Sequence, residues 1–160
     1  RGPVRLRIAP DAAERAAVAK RLGLSGLRAL TADVTVKPWL DGVEIAGRFE
    51  AVVEQVCGVS LESFEQPLSG EIEVHAVPPG GPHAAVSEGG ELDLDLDPDA
   101  PDAPDILAGD AVDVAAYVVE HLALEIDPFP RKPGAEFDYQ AEAVETSPFA
   151  ALKKLTEPKA

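Results

Sequence analysis

Apolar residues recur at every second position from Val43 to Val53 (Val43, Ile45, Gly47, Phe49, Ala51, Val53), with Glu44, Arg48, Glu50 and Glu54 on the alternate positions. A period of two sends these sets to opposite faces of a strand. The segment therefore needs a sheet with one dry and one wet face, as antiparallel sheets have. Upstream, Leu30, Ala32, Val34 and Val36 alternate with Thr31, Asp33, Thr35 and Lys37. Asp41-Gly42 between the runs carries tight-turn chemistry, and Pro38-Trp39 is expected to lengthen the connection. The two runs predict an antiparallel hairpin. Val4-Arg5-Leu6-Arg7-Ile8, and Ile72, Val74 and Ala76 alternating with Glu71, Glu73 and His75, predict two further strands.

Two helices accompany them. Asp11 followed by Glu14 forms a capping-box pattern, Lys20 and Arg21 suit a helix C-terminus, and Gly23 ends the run, predicting a helix over 11–22 with Ala12, Ala16, Ala19 and Leu22 along one side. A second helix is expected to start at Asp110, with a stripe of Ala115, Val118, Val119, Leu122 and Ile126, and to stop before Pro128. A short helix is expected around Pro148–Leu155. The fold class expected is α+β: a mostly antiparallel sheet, with a barrel-like closure left open, two main helices and a short C-terminal helix. The 160 residues suit one domain over 1–160, and 127–160 reads as an extended tail with a terminal helix.

Residues 78–109 read as an acidic, Pro- and Gly-rich insertion, with mobile loops at 78–90 and 98–109. From Glu88 to Asp113 there are ten acidic residues and no basic one, and Glu91-Leu92-Asp93-Leu94-Asp95-Leu96-Asp97 alternates as an edge strand would. Net charge is −15 at pH 7, divided into +5 over residues 1–40 and −20 over 41–160. Phosphate binding rests on Lys and Arg, so RNA contact is expected only at the basic end, whereas an acidic surface suits a basic protein or serves solubility. No run approaches the roughly 20 apolar residues of a membrane span, and the first residues lack the apolar stretch of a signal peptide. With no Met, the chain reads as trimmed, with residues expected before Arg1. A single cysteine, Cys57, permits no internal disulfide and fits a reducing cytoplasm.

No catalytic constellation emerges. Asp93, Asp95 and Asp97 have the alternate spacing of a calcium loop, but Pro98 and Pro104 stand where it needs Gly and Glu. The same aspartates leave metal-dependent RNA hydrolysis as an alternative, unsupported by a second acidic motif. His75, His83 and His121 lack metal-ligand spacing, His121 reading as a surface residue of the second helix. The glycines match neither a phosphate loop nor a dinucleotide fingerprint. Cys57 reads as a small buried hydrophobe. Trp39 could stack on a base but more simply covers the core edge. Arg131-Lys132 sits among prolines that limit the entropy lost on docking, and serves equally well as a structural strap.

Several segments together resemble a known family. Residues 110–126 followed by Asp127-Pro128-Phe129-Pro130-Arg131-Lys132-Pro133-Gly134 resemble the C-terminal part of YceD-family proteins, the large ribosomal RNA subunit accumulation proteins. Cys57-Gly58-Val59-Ser60-Leu61-Glu62-Ser63-Phe64 is similar to the family's C-x-R-C-L-E-P-F pattern, with Val59 in place of Arg and Ser60 in place of the second cysteine. Ser147–Leu155 is similar to the family's D-P-R-F-A-A-L-K-K-L ending, and Asp11–Leu24 fits its alphaproteobacterial branch. The resemblance implies a non-enzymatic role in accumulation or processing of large-subunit (23S) rRNA, in contact with the rRNA or its precursor, a large-subunit ribosomal protein, or both. It implies no cofactor. Many relatives carry a further cysteine-rich stretch reminiscent of a metal knuckle; residues 127–146 hold no cysteine, so no structural zinc is expected. Charge and placement, rather than the resemblance, select the candidate contacts: Arg5, Arg7, Arg15, Lys20, Arg21, Arg28, Arg131 and Lys132. In the rival reading, the acidic 88–113 segment shields a basic ribosomal protein.

Overall fold

The computed structural model describes residues 2–84, 103–109 and 111–137. The elements run β1 (Val4–Ile8), α1 (Ala12–Leu22), β2 (Gly26–Trp39), β3 (Gly42–Val56), β4 (Ser63–Val77), β5 (Asp105–Ile106) and α2 (Val114–Glu125). The strands form one sheet in the order β1-β2-β3-β4-β5. The first four pair antiparallel, and β5 runs parallel to β4 through Ala76↔Asp105 and Val77↔Ile106. The sheet is open, with β1 and β5 as its edges, so the barrel-like closure does not occur.

Alternation places the core. Leu30, Ala32 and Val34 of β2, Ile45, Phe49, Ala51 and Val53 of β3, and Ile72 of β4 are buried together with Ala19 of α1 and Val114, Val118 and Leu122 of α2. In α1 it is Ala19, with Val18 and Leu22 partly covered, that meets the core; Ala12 and Ala16 face solvent. Residues at the intervening strand positions, such as Asp33, Arg48, Glu50, Glu71 and Glu73, are exposed, so the opposite face of the sheet is charged and wet. Phe49 pairs with Gly70 across β3 and β4. A Cβ at Gly70 would lie 2.6 Å from the Phe49 ring, so the ring occupies the space the glycine leaves over its own backbone.

Several boundaries differ from those the sequence predicts. Pro38 and Trp39 do not lengthen a loop: they belong to β2, opposite Val43 and Gly42. The hairpin closes in two residues, Leu40 and Asp41, with Leu40 in the left-handed region at φ 50°. Gly42 serves close approach instead, because a Cβ there would collide with the Ala76 carbonyl. Trp39 turns to the wet face and stacks on His75, ring centroids 4.3 Å apart. Within the expected loop 98–109, Asp105–Ile106 forms β5, extended by Leu107 donating to the Val77 carbonyl at 2.9 Å.

The helix caps follow local chemistry. In α1, Asp11 accepts from the Glu14 N–H at 2.9 Å and Glu14 accepts from the Asp11 N–H at 2.8 Å, while Gly23 closes the end at φ 69°. Helix α2 starts at Val114 rather than at Asp110, because Asp113 caps it by accepting from the Ala116 N–H at 3.0 Å. His121 is half-buried on α2, its Nδ1 2.9 Å from the Tyr117 carbonyl oxygen. The expected strand at 91–97 and the expected helix at 148–155 lie outside the described residues, as do Asp93, Asp95 and Asp97.

Candidate binding surface

Two neighbouring places gather polar chemistry. The first is a groove of about 890 Å³ between α1 and the start of β2, lined by Arg15, Lys20, Ser25, Arg28 and Glu54 among others. Helical spacing puts Arg15 and Lys20 on its α1 wall, and Arg15 is held by donating to the Pro10 carbonyl at 2.8 Å. Arg28 reaches the groove through a register shift between Leu27 and Ala29, where β2 carries one residue more than β3 and the side chain is re-aimed. There Arg28 bridges Glu54 at 2.5 Å and Glu65 at 3.3 Å, two acids that face each other across β3 and β4.

The second is the turn between β3 and β4, fastened to the segment that follows α2. Cys57 donates to the Glu62 carbonyl at 2.9 Å and accepts at its own carbonyl from Leu61 at 2.9 Å, with Leu61 left-handed at φ 59°. Its buried sulfur accepts N–H groups from Val59 and Ser60 at 3.4 Å each and from Lys132 at 3.3 Å. Gly58 donates to the Pro130 carbonyl at 2.9 Å, and Lys132 Nζ reaches Glu62 at 2.8 Å. Residues 127–132 thus form a strap clipped to the turn. The Ser60 hydroxyl first, then the N–H groups of Ser60 and Lys132, hold the Cys57 thiol at a pKa of about 6 against the opposing effect of burial, with Val59 adding a smaller share. The hydrogen bond and charge of Lys132 lower Glu62, and Glu62 raises Lys132 in return. Cys57 is therefore more than a small buried hydrophobe: its sulfur is the acceptor that joins the turn to the strap.

The eight candidate cations do not form one patch. Arg15, Lys20 and Arg28 share the groove. Arg21 sits in the last turn of α1, and Arg5 and Arg7 lie on β1 at the wet face, with Arg7 3.6 Å from Asp33. Arg131 and Lys132 belong to the strap, where Lys132 is committed to Glu62. Lys37 pairs with Glu44 at 2.7 Å, and that hydrogen bond is the main reason the Glu44 carboxyl is lowered. Charge counting located the cations but could not see the carboxylates opposite Arg7, Arg28 and Lys132. It also missed Gln55, a buried polar residue of β3 that donates to the Asp127 carbonyl at 3.2 Å and so ties the strap to the sheet. Its place in the apolar alternation of β3, after Val53, was the available signal. Among the described residues, no group of three or more His, Cys, Asp or Glu side chains is arranged to hold a metal ion, and no helix is long and apolar enough to cross a membrane.

An open, mostly antiparallel sheet covered by two helices on one face, with a cationic groove at one end and a strapped turn beside it, defines a small α+β domain whose polar features are grooves and straps. The model of the large ribosomal RNA subunit accumulation protein YceD matches residues 45–156, and the chain belongs to that family. The match covers both halves of the clip, the Cys57 turn and the strap. No curated protein matches the chain, and no solved structure does.

Proposed function

We propose that this protein is a non-enzymatic factor that supports accumulation or processing of large-subunit (23S) rRNA in the cytoplasm by binding its precursor through the groove between α1 and β2. The observation that carries this reading is the convergence of Arg15, Lys20 and Arg28, from two elements, on one groove. Each cation can displace counterions from a phosphodiester backbone. Arg28 enters already paired with Glu54 and Glu65, so RNA must compete for it, which favours a modest, salt-sensitive contact. Family membership supports the RNA class, and the Asp11–Leu24 stretch supports the alphaproteobacterial branch.

The test is binding of a labelled 23S precursor fragment across a salt series. Replacing Arg15 and Lys20 by Ala should weaken binding and shrink the slope of log K against log salt by about 0.7 for each single-strand phosphate no longer neutralised. Unchanged affinity and slope would refute the groove as the RNA site. A second reading, an acidic partner that covers a basic ribosomal protein, is favoured by the exposed acids of the wet sheet face, Glu50, Glu71 and Glu73. Deleting 88–109 tests the version in which that segment is the shield: the ribosomal protein should be lost while RNA binding survives. No observation favours RNA hydrolysis through Asp93, Asp95 and Asp97.

A further inference from the structure

Helices α1 and α2 end at the same place. A pocket of about 320 Å³ opens between them, lined by Leu22 and Gly23 at the end of α1, Ile126 and Asp127 after α2, and Gln55 on the sheet below. A helix C-terminus carries unsatisfied carbonyls and roughly half a negative charge. The end of α1 is closed by Gly23 and Leu24, which donate to the carbonyls of Lys20 and Ala19, and its last turn holds Lys20 and Arg21. Among the described residues, the end of α2 shows neither device. Its C-cap Ile126 is extended, with ψ 121°, and its last turn holds no basic residue.

Gln55 sharpens the chemistry. It is only 7 % exposed, its amide nitrogen is used on the Asp127 carbonyl, and its Oε1 has no hydrogen-bond partner among the described residues. A buried carbonyl oxygen left unpaired costs free energy that a donor would recover. Asp127 Oδ1 accepts from the Phe129 N–H at 2.8 Å. The surroundings are rich in acceptors, with Leu22, Leu24 and Ile126 as apolar walls. A guanidinium suits such a place better than an ammonium, because it is planar, weakly hydrated and carries several donors.

We propose that the pocket between the ends of α1 and α2 receives the side chain of an arginine from a protein partner. Charge complementarity argues for a cationic side chain, since Asp127 is the one ionisable residue among those lining the pocket and it is acidic. The pocket adjoins the cationic groove, sharing Leu24 and Ser25 with it. RNA and an arginine-bearing protein would then meet the domain side by side. The proposal is independent of whether the groove binds RNA.

The experiment uses the full chain and a blocked Gly-Arg-Gly peptide, followed by amide chemical-shift mapping. The expected result is saturable shifts at Gly23, Ile126 and the Gln55 side-chain amide. The same peptide with citrulline, isosteric and uncharged, should bind on the order of tenfold more weakly, the scale of one hydrogen bond to a charged group. Gln55→Leu should weaken the arginine peptide similarly. Gln55→Glu should strengthen it, which a purely structural Gln55 would not do. Equal binding of the citrulline peptide, shifts confined to the wet sheet face, or an unchanged affinity in both variants would overturn the proposal. So would adenosine monophosphate taking the pocket in preference to the peptide.

Discussion

Three N–H donors converge on the Cys57 sulfur, and one of them, from Lys132, comes from 75 positions away in the chain. Neutral thiols are weak acceptors, whereas a thiolate gains fully from such a cluster. Folding moves this thiol from 9.0 to about 6, a depressed value. Its contribution to stability is therefore complete above pH 9, shrinks as pH falls from there, and is lost as pH passes below 6. Two measurements check this. Thiolate ultraviolet absorbance of the native protein should titrate near pH 6, and the stability deficit of Cys57→Ala should be larger at pH 8 than at pH 5.5. A native midpoint close to that of the unfolded chain would show that the sulfur is an ordinary buried group. Gln55 is a second residue whose meaning is tertiary. Its neighbours in sequence are strand residues, and its partner Asp127 lies beyond α2.

Among the elements, β3 and β4 depend on a complementary pair. Phe49, 1 % exposed, lies over Gly70 and also faces Ala32 of β2. A methyl at Gly70 would displace the ring or push against Glu125 of α2, whose Cγ would be 3.3 Å away. Gly70→Ala should therefore cost about 1–3 kcal/mol, as overpacking does in a filled core. Denaturant unfolding with an unchanged m-value is the measurement, and a loss near zero would show that the ring moves freely. The α1 helix was legible because its signals are local: cap, acidic first turn, basic last turn and stop glycine. The start of α2 shifted to Val114 because the capping aspartate is Asp113, one of several aspartates that local sequence alone does not rank. Strand β5 escaped because two residues carry no period; it exists through pairing with Ala76 and Val77.

For the whole molecule, net charge outweighs the individual ion pairs. At −15 over 160 residues the folded chain repels itself. Among its described ion pairs, Arg7–Asp33 and Lys132–Glu62 sit at exposed positions, where solvent screening leaves a pair little net stabilisation. Screening the repulsion should outweigh screening the pairs. Thermal unfolding followed by circular dichroism should rise in midpoint as sodium chloride is raised from low to physiological concentration. A falling midpoint would mean that the pairs dominate.

Strand alternation and the caps of α1 are readable because each depends on neighbours within a few positions, and they sufficed for an α+β chain with a half-wet, mostly antiparallel sheet. The segments Cys57–Phe64 and 127–134 also carried the family resemblance, which the match over 45–156 bears out. Tertiary structure alone decided whether the sheet closed, because closure depends on how β1 and β5 finish. It decided which cations were committed to Asp33, Glu54, Glu65 and Glu62, since those acids lie on other strands and turns. It also brought Gln55 to Asp127 and Cys57 to Lys132. Pairings across 70 or more positions obey no period and leave no pattern in one sequence. They form because folding the sheet sets the end of α2 against the β3–β4 turn.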